Sequence, residues 1–227
     1  MAEAARRVGE WRRPTWIMAR RQTSGRGRRG QPWAMGEGNL AATLLLRPEG
    51  TAMEAARRSF LAANALYAAL ALHAPRARLA LKWPNDVLLD GGKIAGILLE
   101  SAGQGRMVDW LSIGVGVNLA HVPPGITGAA FAPVSLDEAT GQRVDPEAFL
   151  DTLADAYATQ EEKLAHFGFP RIREDWLAKA ARLGEVITAR TTREEITGTF
   201  DTVDQDGNLV LITATGPRSI PAAEVYF

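Results

Sequence analysis

Gln22-Thr23-Ser24-Gly25-Arg26-Gly27-Arg28-Arg29-Gly30-Gln31-Pro32-Trp33 carries three arginines within four residues, on a backbone spaced by three glycines, shortly after the apolar run Trp16-Ile17-Met18-Ala19. Glycine lets the main chain turn through conformations closed to other residues and bring N–H groups close to a ligand. Arginine adds a rigid fork matched to carboxylate and phosphate. Such a loop is suited to closing over an anion. Its like charges repel, so it is expected to be mobile until an acidic ligand orders it. Gly25, Gly27 and Gly30 also spell G-x-G-x-x-G, with Glu49 near the place of a ribose-binding acid. A dinucleotide fingerprint, however, needs a helix starting at the last glycine. Gln31–Asn39 reads instead as loop and Leu40–Leu46 as strand, so that reading fails on context. A solvated basic loop without a ligand is the plain alternative.

Outward from the loop, composition narrows the class. A chain of 227 residues, 46% of them apolar, has room for one generous core and a small appendage. Its 26 basic and 26 acidic residues cancel, against a protein that mainly coats nucleic acid. The charge is uneven, since residues 1–30 hold nine arginines against Glu3 and Glu10, which favours an anionic small molecule near this end. With no cysteine, disulfides and any enzyme thioester are excluded. Residues 1–14 are charged rather than an apolar signal region, and no window approaches the ~20 apolar residues of a membrane span. A soluble, cytoplasmic protein is expected, with no membrane contact. His73, His121 and His166 show no metal-ligand spacing.

Along the chain, residues 2–9 read as the end of a helix stopped at Gly9. Trp16–Ala19 and Leu40–Leu46 read as strands, and Met53 to about Leu72 as an alanine-rich helix lying on a sheet. Leu79–Trp83, Val87–Leu89 and Lys93–Ser101 alternate with the turns Pro84-Asn85-Asp86 and Asp90-Gly91-Gly92, a hairpin signature. Trp110–Leu119 is a central strand, and successive hairpins make this sheet largely antiparallel. A long connection over residues 120–134 precedes a helix capped by Asp145 with Pro146 at its first position, running to about His166. Trp176–Ala181 reads as a second, short helix. From Gly184 the short β-rich runs Glu185–Arg190, Glu195–Asp201, Leu209–Thr213 and Ser219–Pro221 fit a small barrel docked on the larger domain. The expected division is 1–182 and 183–227.

Four patches need one explanation: the arginine loop, Lys82-Trp83-Pro84-Asn85-Asp86, Gly91-Gly92-Lys93-Ile94-Ala95-Gly96-Ile97-Leu98-Leu99-Glu100, and Gly114-Val115-Gly116-Val117-Asn118-Leu119. Singly each has a dull reading, as a turn, a hairpin tip with a solvated lysine, or a strand that something approaches closely. Together, in order and spacing from about Gln22 to Leu119, they resemble the catalytic domain of biotin protein ligases, which activate biotin with ATP and transfer it to a carrier-protein lysine. Gly184-Glu185-Val186 and Asp206-Gly207-Asn208-Leu209 resemble that family's terminal domain.

The resemblance implies an α+β fold shared with class II aminoacyl-tRNA synthetases, a mixed sheet backed by helices and followed by a small SH3-like β-barrel. It implies ATP, Mg²⁺ and biotin as reactants and a biotin carboxyl carrier protein, of acetyl-CoA carboxylase or a related carboxylase, as partner. A homodimer is compatible with it. By motif position Gln22, Arg26, Gly27, Arg28, Lys93 and Gly96 would bind biotin. Arg28, Arg29, Trp33, Asn85 and Asn118 would bind ATP and the adenylate. Arg26, Arg28, Lys93 and Asp86 would serve the chemistry, and Mg²⁺ would lie near Asn118, with no direct metal ligand assigned. A lipoate ligase shares this fold and chemistry, but the Gly-Arg-Gly-Arg-Arg-Gly loop favours biotin. A nucleic-acid module using the loop and barrel is disfavoured by zero net charge and few aromatics near the arginines.

The chain departs from the family at its start, where a Ser-Thr-Asn-like segment that would bind the ureido ring should precede Met1-Ala2-Glu3-Ala4-Ala5-Arg6-Arg7. Biotin is therefore expected to bind more weakly here than to a form extended by about ten residues, on the order of 1–3 kcal/mol for two buried hydrogen bonds. Equal affinities by calorimetry would refute this. The same start leaves no room for an N-terminal helix-turn-helix, so no operator DNA binding is expected.

Overall fold

The computed structural model describes residues 1–30, 32–122 and 131–227. Six strands form the larger sheet: β1 (Thr15–Met18), β2 (Leu40–Leu46), β3 (Leu79–Lys82), β4 (Asp86–Leu89), β5 (Gly92–Ala102) and β6 (Trp110–Val117), in the order β1-β2-β6-β5-β4-β3. Every pair of these strands is antiparallel, and among the described residues parallel pairing enters the sheet only as the single bridges Leu81↔Ala180 and Lys93↔Pro133. The mixed character expected from the resemblance is thus confined to those bridges. Short turns explain why: Asp90 and Gly91 both take positive φ, 51° and 78°, the two-residue connection that returns a strand beside its predecessor.

Alternation gives this sheet two different faces. Leu111, Ile113, Val115 and Val117 of β6 point with Leu40, Leu44 and Ile97 into the core. Gly96, Gly114 and Gly116 lie on the other face, in register with Ala41 and Thr43 of β2. Two long helices cover the apolar face, α3 (Arg58–Leu70) and α5 (Pro146–Leu177). They follow α1 (Ala2–Arg6), the capped turn α2 (Ala52–Ala56) and, between them, α4 (Leu136–Thr140). Phe60 stacks edge-on against Phe169 and Trp176 at 5.5 and 5.4 Å, and each such buried aromatic is worth about 1.5–3 kcal/mol in area alone.

Helix boundaries follow local chemistry. Thr51 and Glu54 form a reciprocal capping box, and the chain breaks at Arg57, so the single helix expected over 53–72 is two. Asp145 Oδ1 accepts from the N–H groups of Glu147 and Ala148, both at 3.0 Å. Within α5 the helix it starts ends near His166 as expected, because Gly168 (φ 71°, ψ 179°) leaves the helical region, and a second helical stretch then runs to Leu177. The second, short helix expected over Trp176–Ala181 lies earlier, between Gly168 and Leu177, with Trp176 anchored in the core in its last turn, while Ala181 N–H bonds Leu81 O beside β3. The connection over 120–134 falls largely on 123–130, outside the described residues.

The five remaining strands, β7 (Val186–Arg190), β8 (Glu195–Val203), β9 (Leu209–Thr213), β10 (Gly216–Ile220) and β11 (Glu224–Tyr226), form an antiparallel SH3-like sheet in the order β10-β9-β8-β7-β11. The barrel does not close, because β10 and β11 remain edges. β11 has three residues, and Pro217 in β10 cannot donate to a neighbour. This sheet docks on the larger domain through its Asp204–Asn208 turn. Trp83 Nε1 donates to Gly207 O at 3.0 Å, and Arg57 pairs with Asp206 at 3.5 Å.

Asp204 organises that turn. Its carboxylate accepts from Asp206 N, Asn208 N, Asn208 Nδ2 and Ser219 Oγ at 2.8–3.1 Å. Burial raises its pKa, but the Ser219 and Asn208 hydrogen bonds outweigh it and hold the group below the ordinary aspartate value. A lowered folded-state pKa stabilises above the unfolded value of about 3.9 and is lost as pH falls through the lower folded one. Asp204→Ala should therefore cost about 1–2 kcal/mol at pH 7, after discounting for exposure. In urea melts the gap from the parent should narrow below pH ~4. A constant gap would refute the assignment.

Candidate active site

The non-helical face of the larger sheet is floored by glycine where β5 and β6 pair as Gly96↔Gly116. A methyl group built on Gly116 would lie 2.5 Å from Trp33 Cε2, and one on Gly96 would lie 3.3 Å from Trp33 Cζ3 and from Lys93 Cε. The Trp33 indole thus lies directly on a floor that only hydrogen side chains leave flat. Gly25 O accepts from Trp33 N–H at 3.0 Å, and Arg26 bridges Pro32, so the arginine loop folds back on itself to deliver that ring. Only a single 3-10 turn, Arg28–Gly30, follows the glycines, and Arg29 within it takes positive φ (54°). No helix receives a pyrophosphate there, as the dinucleotide reading would need.

The loop's charges part company. Arg26 pairs with Glu100, on the same sheet face, at 3.0 Å. Arg28 reaches the smaller domain, where Nη1 donates to Ala223 O at 3.5 Å. Burial, then the neighbouring Arg29, lowers the Arg28 pKa, while Asp86 and Glu224 partly offset both. Arg29 itself is exposed. Gln22 Oε1 is buried with no hydrogen-bond partner among the described residues.

On the other side of the floor Lys93 Nζ sits 2.6 Å from Asp86 Oδ1 and 5.6 Å from the Trp33 ring centre. Lys82 Nζ stands 3.5 Å from Asp86 Oδ2. Asp86 faces Gly96 across the β4–β5 pair, and the register slip after Val87 turns Lys93 toward it. Asn85 is tied into the framework, its Nδ2 donating to Ile97 O. Asn118, 4% exposed, donates through Nδ2 to Val134 O at 3.2 Å. Trp33, Lys93, Asp86 and Gly96 therefore converge, with Arg26 and Arg28 at the rim. Gly27 is half-buried in the loop, and Gln31 lies outside the described residues.

The sequence alone did not single out Gly116 as floor, Glu100 as the partner of Arg26, or Ala223 and Glu224 as neighbours of Arg28. The paired register of two Gly-containing strands was the available signal for the first; the others join elements far apart in the chain. A separate cavity of about 400 Å³, lined by Gly38, His121, Asp137, Arg143 and Val144, lies away from this cation cluster. Arg143 there pairs with Asp137 at 3.2 Å, and the glycine floor is the better site because Lys93 and Asp86 meet over a flat surface that Trp33 covers.

The model of the Biotin/lipoate A/B protein ligase family matches residues 1–118, and that of the biotin protein ligase C terminal domain matches residues 183–227. The chain belongs to the biotin/lipoate A/B protein ligase family. Among members of this family, a biotin–[acetyl-CoA-carboxylase] ligase of Paracoccus denitrificans is 54% identical over 93% of this chain and 90% of its own. The bifunctional ligase/repressor BirA of Bacillus subtilis is 29% identical over 93% of this chain, which spans 65% of that relative. The biotin protein ligase of Aquifex aeolicus in complex with biotin and ATP superposes with a TM-score of 0.80 at 27% identity, covering 97% of this chain and 92% of that one.

Among the described residues no three His, Cys, Asp or Glu side chains cluster to hold a metal, and no helix is long and apolar enough to cross a membrane. A ligase of this family using Mg²⁺ would receive it on the phosphates of ATP, which suits a cation that keeps most of its water.

Proposed function

We propose that this chain joins biotin to ATP as biotinyl-5′-AMP and passes the biotinyl group to one lysine of a biotin carboxyl carrier protein in the cytoplasm. The glycine floor with Lys93 beside Asp86, rimmed by Arg26 and Arg28, carries the reading, and the 54%-identical ligase supports the choice of substrate. Residues 1–182 form the catalytic part and 183–227 the smaller domain.

In the first step a biotin carboxylate oxygen attacks the α-phosphorus of ATP. One P–O bond forms, another breaks, and pyrophosphate leaves with the electron pair. Both reactants are anions, so Arg26, Arg28 and Lys93 offset their repulsion, each charged hydrogen bond being worth roughly 1.5–3 kcal/mol. Gln22 Oε1 and the Gly27 backbone hold the biotin head over Gly96. Arg29, Asn85 and Trp33 border the nucleotide, and Asn118 faces the ribose and the magnesium that arrives with ATP. The loop excludes water from the mixed anhydride. In the second step the carrier amine attacks the acyl carbon, AMP departs, and Asp86 orients the amine.

Exchange of labelled pyrophosphate into ATP tests the proposal. Exchange dependent on biotin is expected. Exchange with lipoate and not biotin would reassign the substrate within the family, and binding of nucleic acid without any exchange would end the ligase reading.

A further inference from the structure

Lys82 belongs to the Lys82–Asp86 motif, yet nothing above gives it a task. Its side chain is 4% exposed, unusual for an ammonium unless its surroundings are built for it. It stands opposite Asp86 in the β3–β4 pair, with its Nζ 3.5 Å from Oδ2 and 4.5 Å from the Phe131 ring centre. Burial lowers its pKa, the Asp86 charge opposes that, and Lys93 adds to it. Three further charges face this pair, Lys93 from β5, Arg28 from the arginine loop and Glu224 from β11.

One carboxylate therefore holds two ammonium groups that differ in freedom. Lys93 is 30% exposed and reaches the floor, whereas Lys82 is shut in beside Phe131. When Lys93 turns to the anions of biotin and ATP, Asp86 loses its nearer partner. Lys82 cannot follow. We propose that Lys82 is a positioning residue that keeps the Asp86 carboxylate aimed across the glycine floor while Lys93 is engaged with substrate. This deepens the biotin-ligase reading and rests on it. In the transfer step the C–N bond forms as the bond from the acyl carbon to the AMP oxygen breaks. AMP leaves with the electron pair, and the surplus amine proton passes by way of Asp86 to water.

A crystal structure of the unaltered chain with a sulfamoyl analogue of biotinyl-AMP is the first test. Lys93 Nζ should lie on the analogue while Lys82 Nζ stays about 3.5 Å from Asp86. Lys93 still on Asp86, or Lys82 turned away, overturns the proposal. An analogue that does not bind at the floor takes down the ligase reading and the proposal with it. In solution, Lys82→Met should slow single-turnover transfer from adenylate to carrier on the order of 10- to 100-fold, with biotin affinity unchanged within about threefold. Lys82→Met combined with Asp86→Asn should be no slower than Asp86→Asn alone, because the lysine acts through the carboxylate. Additive losses, or normal transfer by Lys82→Met, would overturn it. If Lys82→Met does not fold, the structure with the analogue decides.

Discussion

Lys93→Ala is expected to lower biotin-dependent pyrophosphate exchange by ~10²-fold or more while leaving the fold intact. The lysine projects from the bulged start of β5 to within 2.6 Å of Asp86 and beside the Trp33 ring, so its charge lies over the floor where carboxylate and α-phosphate must meet. Two anions brought together in a site of reduced dielectric repel by several kcal/mol, and a fixed cation offsets this without reorganising. The fold should survive because the side chain is partly exposed and Asp86 keeps Lys82 at 3.5 Å. Arg26→Ala should act in the same direction and to a similar extent, since its guanidinium reaches the same face beside Glu100. Arg20→Ala is the control, as Arg20 is exposed and pairs with Glu147. Exchange by Lys93→Ala within about threefold of the parent would rule out charge offset at this position.

Gly116→Val is expected to weaken biotin binding roughly 10- to 100-fold by calorimetry, about 1.4–2.8 kcal/mol. A side chain at Gly116 would begin 2.5 Å from Trp33 Cε2 and 2.6 Å from its Cζ2 and Nε1, so the indole must leave and the floor rises by a methyl layer. That indole covers Gly96 as well, the residue proposed to line the biotin pocket. A raised floor obstructs whichever group rests on it. The core face of β6 is untouched, so thermal stability should change little. Unchanged biotin affinity would show that the ligand binds away from the β5–β6 glycines.

Much of the secondary structure was legible because local chemistry dictates it. Leu40–Leu46 is a wholly buried strand, as a run apolar but for Thr43 implied, and Asp90-Gly91 makes the two-residue reversal that its residue types favour. Asp145 and Pro146 marked a helix start correctly. That helix's end near His166 was legible as well, since Gly168 leaves the helical region there, and only the second stretch, which stops at Leu177, was placed too late. Packing of Phe169, Ile172 and Trp176 against the core carries the chain through the kink. The short helix α4 was missed because its apolar pattern is too brief to register, although Ser135 followed by Glu138 three residues on is the capping signal that could have found it. Closure of the small barrel was expected from strand count, but hydrogen bonding between its first and last edges depends on the length of β11.

For function, the sequence by itself determined which chemistry was present: a cation-rich glycine loop, a lysine and an aspartate in fixed motifs, and glycines at alternate positions in paired strands. These are short-range patterns, and residue type alone discloses them. Tertiary structure alone decided that Trp33 rests on Gly96 and Gly116, that Arg28 reaches Ala223 of the smaller domain, and that Lys82 and Lys93 share Asp86 from opposite sides. Each of those contacts depends on sheet register or on the docking of two domains, quantities set by the summed burial of the whole core rather than by any neighbouring residue.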